Sequence, residues 1–164
     1  MVKQFKKEMI DETAKKFAEL TCSLSRECSR KEEFFARCYN LTPAELRLLM
    51  LFGEKSCLSI KDLSSNLALT PGRITHILTS LEEKKLVIRK QDPGDRRSFN
   101  VYLTGQSRPY INNINTGHIL VHKEIFDTLD DDTKENVLLV MDSLIVAMKK
   151  WVVNETNKEL KVEV

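Results

Sequence analysis

The chain has 164 residues, 41% hydrophobic and 30% charged, with five Gly, four Pro and a net charge of +2. That composition excludes a disordered chain and predicts one mostly helical domain, or two tightly joined halves, with a real core. No apolar run approaches the roughly 18 residues of a membrane span. The opening "MVKQFKKEMIDETAKK" mixes acids with its lysines, so a signal peptide is not expected and a cytoplasmic location is.

From Val2 to about Cys38, Phe5, Met9, Phe17, Leu20, Leu24 and Cys28 recur at helical spacing. They predict a long amphipathic helix, interrupted near Ser29. In "LTPAELRLLMLF", Thr42 is an N-cap, Pro43 fills the first helical position and Glu45 closes a Thr-x-x-Glu capping box. That helix is expected to run into Phe52 and stop at Gly53. In "SIKDLSSNLAL", Ser59 caps a helix whose Ile60, Leu63 and Leu67 line one face. In "LTPGRITHILTSLEEKKL", Thr70 caps and Pro71 leads a helix with Ile74, Ile77, Leu78 and Leu81 as its buried stripe. The short link from Ala68 to Thr70 is the spacing of a helix-turn-helix.

Next, "LVIRK" and "SFNVYL" are strand-like, with Phe99, Val101 and Leu103 alternating with polar neighbours and expected to anchor the hairpin. Asp92-Pro93-Gly94 marks the turn between them. Helix, helix, recognition-type helix and hairpin, in that order, make a winged helix. After Thr104 the pattern is helical again. Ile111, Ile114, His118, Val121 and Ile125 form one seam; Val137, Met141, Leu144, Met148 and Trp151 form another, capped by Asp130 or Asp131. The tail after Val153 is expected to fray. These helices exceed what a small winged helix needs for its own core and read as a dimerisation layer. The expected fold is therefore mainly α with a small β-hairpin wing, a winged helix-turn-helix plus a helical dimerisation layer. Its parts are an N-terminal dimerisation helix over 1–40, a DNA-binding lobe over 41–104, and C-terminal dimerisation helices and tail over 105–164.

Charge is distributed unevenly. Ser59 to Thr104 holds eight Lys/Arg against five Asp/Glu, whereas Lys123 to the C-terminus holds six against ten. The basic excess lies where a polyanion would be met. On the recognition-type helix, Gly72, Arg73, His76, Thr79 and Ser80 are expected to project outward or sideways. Arg reads guanine edges in a major groove, and Thr70 and Gly72 at the helix N-terminus suit a phosphate. In the wing, Arg96 and Arg97 can reach the negative minor groove. Asp95 would repel phosphates, so its role is to brace an arginine. An ordinary solvated helix face and a surface ion pair are the bland alternatives.

From its first helix to about Trp151 the chain resembles the MarR-type (multiple antibiotic resistance) winged-helix regulators. The resemblance is most specific in "LTPGRITHILTSLEEKKLVIRKQDPGDRRSFNVYLT", and "LTPAELRLL" is similar to the family's second helix. It implies a homodimer on a pseudo-palindromic double-stranded operator, recognition helices in successive major grooves and wings in the flanking minor grooves. It implies Asp95 and Arg97 as bracing acid and inserted arginine, with Arg73, His76 and Ser80 facing DNA. Pro109 and Gly117 depart from the pattern, and a kink or displacement is expected in the long helix that holds them.

The resemblance also implies a signal. A small aromatic or anionic effector, between the helical layer and the DNA-binding lobe, is the family's commoner option. Cys22, Cys28 and Cys38, at or near the first helix, are candidates for oxidant sensing against a reading as reduced, idle thiols. His118 and His122, four apart on a helix, are weak metal candidates against a reading as interface histidines. The leading reading is a repressor released by a small-molecule or oxidative signal, with a metal-responsive regulator as the alternative. A winged-helix protein-interaction module without DNA is the competing class, against which the arginine wing argues. No glycine phosphate loop, nucleophile motif or acid–base pair supports an enzyme, and no cofactor is expected.

Overall fold

A computed structural model of the chain describes residues 11–95 and 98–160. Helix α1 (Glu12–Cys38) begins where the Asp11 carboxylate accepts the Thr13 amide at 3.1 Å. It runs unbroken through Ser29, against the interruption expected there: the Ser29 hydroxyl turns back onto the Ser25 carbonyl at 2.9 Å and leaves the backbone ladder intact. The part of the expected helix before Asp11 lies outside the described residues. Asn40, with φ +52°, reverses the chain after α1 and brings the Leu41 amide onto the Ala36 carbonyl at 3.0 Å.

Helix α2 (Pro43–Met50) carries the expected capping box. Thr42 Oγ1 accepts the Glu45 amide at 3.3 Å, and Glu45 Oε2 accepts the Thr42 amide at 2.6 Å. The helix closes at Met50, short of Phe52, because the amides of Leu51, Phe52 and Gly53 bond three residues back and tighten the last turn. A strand the sequence did not suggest follows, β1 (Cys57–Ser59). Ser59 then caps α3 (Ile60–Leu67), and Ala68 in the left-handed region (φ +52°) turns the chain toward α4 (Pro71–Glu83). Thr70 caps α4, and Ile74, Ile77, Leu78 and Leu81 are buried as the pattern predicted.

Strands β2 (Val87–Gln91) and β3 (Phe99–Leu103) form the hairpin, and β1 adds to its other side, so the antiparallel sheet has the order β1-β3-β2. Leu58 pairs with Val101 and Val101 with Arg89, which places these three on the face toward α4. Val101 is fully buried and Leu103 half-buried, but Phe99 is 42% exposed, so it does not anchor the hairpin as expected.

Helices α5 (Ser107–Asp127) and α6 (Asp131–Leu160) complete the chain. Both are continuous: Pro109 and Gly117 lie inside α5, and α6 runs beyond Val153, where fraying was expected. Pro109 is the third residue of α5, where no intrahelical N–H partner is required. Asp130 caps α6, accepting the Thr133 amide at 2.8 Å. The chain forms two compact units, one ending at Thr116 and one beginning at Gly117. The buried core belongs to the first, where Leu46, Leu48, Leu49, Phe52, Leu63, Ile111 and Ile114 join the α4 stripe. In the second, no described residue is buried.

Candidate nucleic-acid interface

Helix α4 presents Gly72, Arg73, Thr75, His76 and Thr79 to solvent, because Ile74, Ile77, Leu78 and Leu81 take the opposite stripe. The side chains of Arg73 and His76 have no partner among the described residues. Nothing lies within 4 Å of where a Gly72 Cβ would stand, so packing does not demand glycine there. The exposed Thr70 is spent locally, its hydroxyl accepting the Arg73 amide at 3.4 Å. Thr75 and Thr79 bond back along the helix to the carbonyls of Pro71 and Thr75.

Ser80 departs from the outward set. It is half-buried, and its hydroxyl donates to Glu45 Oε1 at 2.6 Å. Glu45 Oε2 also accepts Lys84 Nζ at 2.8 Å, and Lys84 donates a second bond to the Asn40 carbonyl at 2.8 Å. Glu45 is 2% exposed. Burial alone would push its carboxyl upward. The bonds from Lys84, Ser80 and the Thr42 amide outweigh that and hold it below the usual carboxylate value. A carboxylate recognised in the sequence only as a capping residue thus also ties the start of α2 to the last turns of the recognition-type helix. Sequence spacing carries no sign of that second role, because Ser80 lies 35 residues away.

The hairpin is joined to α4 by a further pair that the sequence reading missed. Glu82 accepts the Arg89 amide at 2.9 Å and the Arg89 guanidinium at 3.0 and 2.5 Å. The Arg89 guanidinium also reaches Thr79 Oγ1 at 3.4 Å. The Arg89 side chain is the main cause holding the Glu82 carboxyl below its ordinary value. On the sheet's other face, Lys90 Nζ lies 5.4 Å from the centre of the Tyr102 ring, within cation–π range.

At the wing tip, Asp92 behaves as the turn residue expected. Its carboxylate accepts the Gly94 amide at 2.8 Å, the Asn100 side-chain amide at 2.7 Å and the Asp95 amide at 3.2 Å, and these bonds keep it ionised to lower pH. Asp95 accepts the Ser98 hydroxyl at 2.8 Å. Arg96 and Arg97 lie outside the described residues.

Of the signal candidates, Cys22, Cys28 and Cys38 are all exposed on α1. The rings of His118 and His122 are 4.3 Å apart, and His122 Nδ1 lies 2.7 Å from the His118 carbonyl. No third metal-capable side chain joins them in a group among the described residues.

The sequence profile of the MarR family matches residues 41–99, from the residue before the α2 cap to the first residue of β3. The uncharacterized HTH-type transcriptional regulator YkoM of Bacillus subtilis is 30% identical over 112 residues, 68% of each chain. Among solved structures, AbsC, a MarR family transcriptional regulator from Streptomyces coelicolor, superposes with a TM-score of 0.72 at 17% identity, covering 87% of this chain and 99% of that one. Streptococcus pneumoniae FabT, solved in complex with DNA, gives 0.70 at 20% identity, covering 85% and 97%. At those identities the two structures are evidence of a shared fold.

Proposed function

The chain belongs to the MarR family, and on that footing we propose that it is a homodimeric, sequence-specific DNA-binding transcriptional repressor released by a small-molecule signal. The observation that carries the reading is the exposed face of α4, where Arg73 and His76 stand beside Gly72 with their side chains uncommitted. Side chains spent on internal ion pairs would have to be released before reading a base edge. These two carry no such cost, and Gly72 lets a backbone approach closely. The Glu82–Arg89 pair supports the wing's part, because it holds β2 against α4 so that helix and hairpin meet the duplex as one body.

Two copies fit the apolar surface left open. Leu138, Leu139, Val140, Ile145 and Trp151 on α6, and Ile119 and Leu120 on α5, are 47–68% exposed. Scattered apolar residues are ordinary on a surface, but this many in the unit from Gly117 onward, where no described residue is buried, mark an interaction face. In the proposed division, residues 1–40 and 105–164 serve dimerisation and residues 41–104 serve DNA.

Selecting operators from a random duplex library, followed by fluorescence anisotropy with the wild-type chain and with Arg73→Ala, tests the reading. Enrichment of a half-site repeat, with loss of affinity in Arg73→Ala, is the expected result. A library that yields no enriched sequence overturns it.

A further inference from the structure

Helix α4 carries two threonines one turn apart on its exposed side, and the hydroxyl of each is turned back onto the helix. Thr75 donates to the Pro71 carbonyl at 2.9 Å, and Thr79 to the Thr75 carbonyl at 3.0 Å. The Thr79 oxygen also accepts the Arg89 guanidinium at 3.4 Å, which ties that residue to the hairpin. Thr75 stands nearer the start of the helix, at its fifth residue. That end meets base edges when such a helix lies in a major groove. With its one O–H donor committed, Thr75 has its γ-methyl and an oxygen lone pair to offer a partner. It cannot donate to the acceptors of a purine edge unless the bond to Pro71 is given up. A side chain this short reaches a base only where the backbone comes close. Gly72, three residues earlier and also exposed, permits that approach: it has no Cβ, and nothing lies within 4 Å of where one would stand.

We propose that Thr75 determines sequence specificity by packing its γ-methyl against the 5-methyl of a thymine in the operator half-site. Thymine is the base whose major-groove edge carries a methyl group, and apolar contact with that group tells it from cytosine. The contact breaks no bond within the protein. The Thr75 hydroxyl stays on the Pro71 carbonyl and holds the side chain in one rotamer, so little conformational freedom is left to lose on binding. Arg73 and His76 offer donors to base edges, and Thr75 adds an apolar contact beside them. The inference rests on the reading that α4 enters a major groove, and it names a base that this face selects.

The test uses the operator selected from the random library, remade with deoxyuridine in place of each thymine of one half-site in turn. That change deletes the 5-methyl and leaves every hydrogen-bonding group of the base in place. Fluorescence anisotropy with the full chain compares the thymine and uracil duplexes for wild type, Thr75→Ser and Thr75→Val. In the wild type, uracil at the contacted position should weaken binding roughly fourfold, the scale of one buried methyl group. Thr75→Ser keeps the hydroxyl and loses the methyl, so it should bind thymine and uracil alike at that position. Thr75→Val keeps a methyl and loses the hydroxyl, so the uracil penalty should remain. Each comparison is made within one protein, so a difference in folded fraction cancels. Uracil tolerated at every position overturns the methyl contact while leaving DNA binding by α4 in place. Penalties that all persist at full size in Thr75→Ser, or a penalty lost in Thr75→Val, overturn the role of Thr75. A selection that enriches no sequence overturns the DNA-binding reading and this inference with it.

Discussion

Glu82 on α4 holds Arg89 on β2 by backbone and side chain together, accepting the Arg89 amide at 2.9 Å and its guanidinium at 2.5 Å. The recognition-type helix and the first strand of the hairpin are therefore joined through this carboxylate, with Thr79 of α4 adding a further contact to Arg89. The Glu82 and Arg89 side chains are about a quarter exposed, so solvent screens the pair and its contribution to stability is modest. Glu82→Gln should cost about 1 kcal/mol or less in urea unfolding, yet weaken operator binding by a larger factor than its stability loss. Because the folded carboxyl sits below its ordinary value of 4.5, the pair's stabilisation is present above that value and is lost as pH falls through the folded pKa. The gap between wild type and variant should therefore close on acidification below about pH 4.5. A gap that does not narrow as pH falls below about 4.5 would contradict the ion pair.

Glu45 is the costlier carboxylate. Glu45→Ala strips the Thr42 amide, the Ser80 hydroxyl and Lys84 of one acceptor at once. Removing one partner of a buried, hydrogen-bonded charge pair costs about 3–5 kcal/mol; Lys84 keeps partial contact with water, so about 2–4 kcal/mol is expected. Urea denaturation of the two proteins measures it. A loss under about 0.5 kcal/mol, the scale of an ordinary surface substitution, would show that the network adds nothing beyond surface chemistry.

These two carboxylates mark the limits of what the sequence made legible. The caps at Thr42, Ser59 and Thr70, the buried stripe of α4 and the two strands of the hairpin were all readable, because each follows from spacing within about ten residues. Most of what escaped depends on which elements pack against each other rather than on spacing along one element. Strand β1 has three residues and no periodicity of its own; it exists because β3 offers an edge with Leu58 facing Val101. The run of α1 through Ser29 is unbroken, with the Ser29 hydroxyl on the Ser25 carbonyl and the backbone ladder intact. Ser80 was expected outward or sideways by helical geometry, and its bond to Glu45, 35 residues away, leaves no sign in spacing. Phe99 continued the alternation, but the strand has outrun the helices behind it by that point.

In the wing, Arg97→Ala should weaken binding to a selected operator by roughly 1–3 kcal/mol, the cost of one specific arginine contact. The bracing role proposed for Asp95 makes a paired expectation: Asp95→Ala should reproduce part of the loss and add little to it in the double variant. Fluorescence anisotropy across the four proteins checks both. Full additivity would separate the two residues.

The apolar faces of α5 and α6 lead to an assembly prediction. In sedimentation equilibrium at micromolar concentration the chain should be a dimer, and Leu139→Lys, at a side chain 68% exposed in one copy, should raise the monomer fraction. A wild-type monomer at that concentration would contradict the dimerisation role.

The central claim is that a duplex is held through phosphates by the basic helix-and-wing lobe. Affinity for the selected operator, followed by anisotropy over a series of salt concentrations, measures it most directly. Each neutralised phosphate contributes a slope of about −0.9 to the logarithmic plot, so a steep, linear loss of affinity with rising salt is predicted. A flat titration would contradict the claim.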